Sequence, residues 1–447
     1  MFTSRALPRL TTLTRTSRSF ATVSSIPPVA TPSHHHKIVV IGGGSAGLTI
    51  SHQLLRTGKF TQDDIAIVDP AEWHHYQPGW TLVGAGLKTK QELRRPLKSL
   101  IDSKLKFYND ATHSFAPEDN FITLSSGERV SYEQLVVAPG IRVDFSSIAG
   151  LSEALANPDA NVSSTYSYEY CDKVFTNLSR FKQGKAIFTH PGGLPIKCAG
   201  GPQKIMWLGL DGWRKNGLYN PSAPDSGKIQ ISFATSMGVM FGVKKYSEKL
   251  NELREARGVE GLFGHDLVSI NGNTATFAKG DGEQVEKHFD FLHAVPKMGP
   301  HDFMKNSTLV NATGFTDINE ATTQHKKYAN IWGCGDSSSL PTSKTAAAIT
   351  AQAPVLVRNL LQAMDGKDAD AEYDGYTSCP LLTEYGKVML AEFKYGGVPK
   401  ETFGALGLDQ GTPRRAFYHL KKDFFPWVYY QSMVKGSWAG PKGWMRN

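Results

Sequence analysis

Cysteine is scarce in this chain. It has 447 residues and only 4 cysteines, too few for a disulfide scaffold. Each thiol therefore needs its own explanation. No apolar run reaches the length of a membrane-spanning helix, and the mean hydropathy of -0.31 excludes an ordinary one. Acidic residues are missing from the whole amino-terminal stretch; the first is Asp63. The composition is not that of a coiled coil, a collagen or a disordered chain. What remains, 40% hydrophobic and 20% charged, is globular and long enough for two or three domains.

The acid-free start carries Arg5, Arg9, Arg15 and Arg18 among many Ser and Thr, then a proline-containing linker, Ile26-Pro27-Pro28. That is the pattern of a mitochondrial transit peptide, expected over 1–33. Losing it lowers the formal net charge from +8 to about +4. The alternative is a basic disordered tail. Beyond it, basic residues do not cluster with aromatics as a nucleic-acid surface requires, so no nucleic-acid partner is expected.

The ordered chain is expected to begin with a short apolar strand, Lys37-Ile38-Val39-Val40-Ile41. Gly42-Gly43-Gly44-Ser45-Ala46-Gly47 follows, then a helical pattern from Leu48 to Arg56. Gly42, Gly44 and Gly47 satisfy G-x-G-x-x-G. The first allows the tight turn and the second lets backbone approach a pyrophosphate. The third lets the helix pack close to the sheet, its N-terminus facing the phosphates. A second strand, Ile65–Val68, ends at Asp69, 22 residues after Gly47. That is where an acid grips a ribose hydroxyl.

Two later strands carry further signatures. Tyr132–Val137 ends in Ala138-Pro139-Gly140, and Ala329–Cys334 closes on Gly335-Asp336. These resemble the signatures of the two-dinucleotide-domain flavoproteins, and the resemblance favours FAD. It implies that Asp336 holds the ribityl chain. The helix from about Thr345 would aim its N-terminus at the flavin pyrimidine edge and stabilise the anionic reduced form, with Lys344 adding a full charge. The alternative for Asp336 is an N-cap.

Between these signatures, Ala186–His190 is the strand expected to open a second dinucleotide fold. The turn after it, Pro191 to Gly201, contains no G-x-G-x-x-G. The segment keeps its place but is expected to have lost NAD(P)H. The expected fold class is thus α/β with two Rossmann-like domains, the FAD domain being discontinuous. Its first part is 37–150 and its return part 301–365. The second domain, 151–300, carries Cys198, and 366–447 forms a carboxy-terminal, membrane-associated region with Cys379.

Cys198 precedes a helical stretch, Pro202 to Leu210, with Lys197 and Lys204 nearby. A helix N-terminus and flanking cations lower a thiol pKa. An inert buried thiol is the alternative. Cys379 lies in Tyr373-Asp374-Gly375-Tyr376-Thr377-Ser378-Cys379-Pro380, which reads as a polar, turn-forming stretch unsuited to burying a thiol. Cys171, in the helical run Tyr170–Leu178, and Cys334, at a strand end, read as structural.

Several runs together resemble the mitochondrial sulfide:quinone oxidoreductases. They are Gly42–Leu48, His75–Gly86, Ile196–Met206, Phe241–Tyr246, Leu340–Ala348 and Tyr373–Leu381. The resemblance spans about 37–447. It implies a Cys198–Cys379 redox pair, with sulfide attacking the bridge. Cys379 then leaves as a persulfide, and Cys198 adds to or stacks on the flavin. The sulfur passes to a small acceptor, glutathione, sulfite or cyanide, and two electrons pass to ubiquinone. It also implies FAD contacts at Gly42, Gly44, Ser45, Ala46, Gly47, Asp69, Gln77, Thr112, Ala138, Asp336 and Lys344, with no metal. One departure is clear: no cysteine follows Ala138-Pro139-Gly140-Ile141-Arg142, where some bacterial members have a third.

The tail from Phe417 to Tyr430 is rich in aromatics beside Lys421 and Lys422, and Trp438 and Trp444 follow. That composition reads as a segment lying in a bilayer interface, peripheral to the mitochondrial inner membrane. The alternatives are an aromatic subunit interface or a helix packed on the core. For the whole chain, a type II NADH:quinone dehydrogenase would share fold and quinone, but it needs the missing second fingerprint and has no use for the cysteine pair. A non-enzymatic flavin-bearing protein is the remaining reading.

Overall fold

The computed structural model describes residues 32–224 and 227–441. All but the last two residues of the expected leader, and Trp444 of the tail, lie outside these. The first strand, His34–Ile41, buries Ile38, Val39 and Val40 completely. A β-branched run of this kind belongs to a central parallel strand covered on both faces. Its parallel neighbours are Ile65–Val68 on one side and Arg129–Val137 on the other; Lys106–Tyr108 lies beyond Ile65–Val68.

Arg129–Val137 has a divided far edge. Its first half pairs antiparallel with Phe121–Leu124, its second half in parallel with Ile331–Gly333. A strand from two hundred residues downstream thus completes the amino-terminal sheet. The first strand feeds helix α1 (Ser45–Arg56) through the glycine loop.

The second sheet has five parallel strands in the order Val162–Ser163, Phe291–His293, Gly184–His190, Ile229–Thr235, Glu260–Phe263. Helix α2 (Gly201–Lys215) starts directly after the Cys198 turn and buries Ile205, Met206, Trp207 and Leu210. Helix α3 (Ala346–Met364) follows the return strand, packs on α1, and is capped by Thr345, whose hydroxyl accepts from the Ala348 N–H at 3.1 Å. Asp336 is therefore not its N-cap.

A hairpin, Thr377–Glu384 with Lys387–Lys394, packs on α2. It corrects the reading of Cys379. The turn-forming residues end before Thr377; Cys379 sits inside the strand and is 2% exposed. Alternation along the strand turns Cys379 and Leu381 toward α2 and Ser378 and Pro380 to the other face.

Part of the tail belongs to the core. Phe417, Val428, Tyr429, Tyr430, Met433 and Val434 are buried, whereas Trp427 is 58% exposed. Composition alone does not distinguish an aromatic facing lipid from one facing protein. Lys421 is also buried, so it is not a surface cation as its neighbour Lys422 suggested. No helix among the described residues is long and apolar enough to cross a membrane.

Candidate active site

One cavity gathers the ends of these elements. The glycine loop contributes Gly44, Ser45 and Ala46, and the turn after Arg129–Val137 contributes Ala138. Asp336 and Lys344 come from the return segment, Cys198 and Lys204 from the second domain, and Lys421 and Tyr429 from the tail.

The three loop glycines have distinct causes. Gly42 has φ +99, and a Cβ there would sit 2.4 Å from the Ala138 carbonyl oxygen. A Cβ on Gly47 would sit 1.8 Å from the Gly42 carbonyl oxygen. Gly44 meets nothing within 4 Å; its missing side chain opens onto the cavity. The first-turn N–H groups of α1 would face an anion bound there. Asp69 accepts from the Gly43 N–H at 2.6 Å and the Ala71 N–H at 2.7 Å, and burial pushes its pKa up.

Asp336 stands in the cavity wall. Burial raises its pKa against the pull of Lys197 and Lys344, and it makes no hydrogen bond within the described residues. A carboxylate so placed is an acceptor waiting for hydroxyl donors. Lys344 donates to the Ser338 carbonyl at 2.6 Å, and burial lowers its pKa to about 8, so it is mostly charged at neutral pH. Gln77 accepts from Lys197 at 2.9 Å. These residues fit FAD: an open glycine and helix N-terminus for pyrophosphate, a free carboxylate for the ribityl chain, and the α3 N-terminus beside Lys344 for the ring. Gly42, Gly47 and Asp69 shape the loop from outside the cavity wall. Thr112 does not line the cavity either; it begins an antiparallel strand three residues after Asn109, which donates to the Asp69 carbonyl, and its buried hydroxyl is unpartnered.

Cys198 and Cys379 meet, although 181 residues separate them. Both are free thiols. The Cys198 backbone is left-handed, φ +50, and its N–H donates to the Lys344 carbonyl at 3.0 Å. Gly200 lets the hairpin approach, since a Cβ there would be 2.7 Å from Cys379 Sγ. Lys204 Nζ lies 2.8 Å from Cys198 Sγ.

The electrostatics are asymmetric. The hydrogen bond from Cys379 and the charges of Lys204 and Lys421 hold Cys198 well below the usual thiol range despite burial. Cys379, beside that negative sulfur and buried, is held well above it. Burial pulls Lys204 down, but the two sulfurs more than offset this. One sulfur is thus a thiolate and its neighbour a thiol. Cys171 is raised by burial to about 12, and burial also raises Cys334.

Lys421 is the site residue that sequence reasoning misplaced. Its Nζ donates to the Pro78 carbonyl at 3.0 Å, and burial lowers its pKa to about 7, with Lys204 adding repulsion and the two thiols opposing. Only its position in a run of aromatics was legible; nothing local marked it as inward-facing.

The profile of the pyridine nucleotide-disulphide oxidoreductases matches residues 36–177. The mitochondrial sulfide:quinone oxidoreductase of Schizosaccharomyces pombe is 46% identical over 424 residues, covering 90% of this chain and 91% of that protein. That of Dictyostelium discoideum is 42% identical over 403 residues, covering 89% and 86%. The solved sulfide:quinone oxidoreductase of Aquifex aeolicus shares the fold, with a TM-score of 0.71, 18% identity, and 89% and 92% of the two chains covered. With that identity along nearly its whole length, and with the thiol pair beside a flavin site, the chain belongs to the sulfide:quinone oxidoreductase family.

Proposed function

We propose that this chain oxidises sulfide at the Cys198–Cys379 pair and delivers the electrons to a quinone. The carrying observation is the asymmetric thiol pair beside Lys204, with Cys198 in the wall of the FAD cavity. The pair begins the cycle as a disulfide. Hydrosulfide attacks Cys379 Sγ, the S–S bond breaks, and Cys198 leaves as a thiolate. Its depressed pKa makes it the better leaving group of the two. Cys379 now bears the persulfide. A small nucleophile takes the terminal sulfur and leaves a Cys379 thiolate. FAD, held by the Gly44 loop, Asp336 and the α3 N-terminus, would supply the two-electron oxidant for re-forming the Cys198–Cys379 bond and the link to a quinone. Lys204 and Lys421 stabilise the sulfur anions and attract an anionic acceptor; glutathione, sulfite and cyanide are the candidates.

Apolar residues also line the cavity, among them Ile349, Phe425, Met433 and Trp438, and we assign the quinone to these. Trp438 Nε1 there is buried and unpartnered, a donor free for a quinone carbonyl. Exposed Trp427, beside Phe424 and Phe425, is the proposed contact with the inner-membrane surface. The relatives are named as mitochondrial, which places the chain in that organelle. The two-domain division, 37–150 with 301–365 and 151–300, is our reading of the two sheets.

Anaerobic titration tests the proposal. Stoichiometric sulfide is expected to bleach the flavin of the purified protein, and NADH to leave it oxidised. Bleaching by NADH and not by sulfide would refute it in favour of an NADH dehydrogenase.

A further inference from the structure

Three side chains from distant parts of the chain stand in a line. Ser45 Oγ lies 2.5 Å from Tyr429 Oη, which lies 2.7 Å from His74 Nε2. His74 Nδ1 in turn lies 3.0 Å from the Gly43 carbonyl oxygen. His74 and Tyr429 are buried, 4% and 2% exposed.

The direction of every bond in this line is fixed. A carbonyl only accepts, so Nδ1 carries the ring proton. Burial lowers the His74 pKa to about 4, so the ring is neutral and Nε2 is an acceptor. Tyr429 must donate to Nε2, which leaves its oxygen to accept from Ser45. The hydroxyl proton of Ser45 is thereby committed to the tail. A phosphate needs donors, and it is left to the first-turn amides of α1 and the open space at Gly44.

We propose that Ser45, Tyr429 and His74 couple the phosphate-facing loop to the carboxy-terminal segment, so that cofactor binding and docking of that segment are one event. Gly43 is held from both sides, its N–H by Asp69 and its carbonyl by His74. The tail has further holds beside this line: Tyr429 packs on Tyr76 at 4.7 Å, and Tyr430 donates to the Leu93 carbonyl at 2.9 Å. That segment also delivers Lys421 to the thiol pair. Loosening the loop frees the tail and withdraws a cation from the sulfurs. Tyr429 and His74 are positioning residues here, and the inference rests on the FAD reading above.

The test reads each end while perturbing the other, because a coupling free energy is reciprocal. The holoprotein is compared as wild type, Ser45→Ala, Tyr429→Phe and the double variant. Hydrogen exchange of 425–434 reports the tail, and FAD release on dilution, followed by flavin fluorescence, reports the loop. Ser45→Ala is expected to expose the tail to exchange. Tyr429→Phe breaks the bonds to both Ser45 and His74 and is expected to speed FAD release at least about fivefold, the effect of one net hydrogen bond. The double variant should be no worse than the larger single effect. Native tail protection in Ser45→Ala, or wild-type FAD release in Tyr429→Phe, overturns the coupling. Wild-type protein that purifies without flavin refutes the FAD reading itself, before any variant is compared.

Discussion

Replacing Lys204 by Met tests the origin of the Cys198 thiolate. The change removes a cation 2.8 Å from the sulfur while keeping most of the buried volume. At that distance, with an effective dielectric constant near 20, the bare attraction is about 6 kcal/mol. Desolvation of both groups consumes much of it, and contact with one opposite charge shifts a pKa by about 1–3 units. Lys421 survives in the variant and retains part of the effect. The midpoint of Cys198 ionisation should therefore rise by about 1–2 units, a 10- to 100-fold loss of thiolate below it. Iodoacetamide alkylation of the anaerobically reduced protein, followed by mass spectrometry across pH 5–10, reports each cysteine separately. Wild-type Cys198 should react at low pH while Cys379 stays protected. A Cys198 midpoint that does not move in Lys204→Met would refute the electrostatic account.

Cys198→Ser and Cys379→Ser should each abolish sulfide-dependent quinone reduction with FAD retained, whereas Cys171→Ser and Cys334→Ser should keep most of it; steady-state assays and flavin absorbance check both. Gly44→Val and Asp336→Ala should give folded protein by circular dichroism but with FAD lost, while Gly47→Val, driven into the Gly42 carbonyl, should fail to fold. Lys421 sheds its proton near pH 7 when folded and near 10.5 when unfolded. The unfolded state holds more protons across that window, so this group makes stability rise with pH. The gain between pH 6 and 9 is roughly 2–3 kcal/mol, and chemical denaturation should show that component missing in Lys421→Met. Trp427→Ser should weaken sedimentation with liposomes at unchanged thermal stability; unaltered binding would place the membrane contact elsewhere.

Much of the fold was legible because its elements are locally encoded. The glycine loop, the Asp69 spacing and the Gly335-Asp336 strand end are short patterns whose physics acts within a few residues. Of the two lysines expected to lower the Cys198 pKa, only Lys204 does so; Lys197 turns to Gln77, and the largest cause is the distant Cys379. The burial of Cys379 was not legible, because its strand is covered by a helix starting 178 residues earlier. Lys421 and Tyr429 escaped for the same reason: a side chain turned inward reads the same in sequence as one turned outward.

The backbone of Cys198 is pinned on both sides. Its N–H is held by the Lys344 carbonyl, its carbonyl by the Tyr166 hydroxyl at 3.1 Å and the Gly201 N–H, and its left-handed φ fits only this turn. The loop therefore has little room to travel during turnover. What remains free is one torsion, and a jump between staggered wells carries the sulfur about 3 Å. On so fixed a backbone, we expect the sulfur to change partners by that rotation and not by movement of the loop.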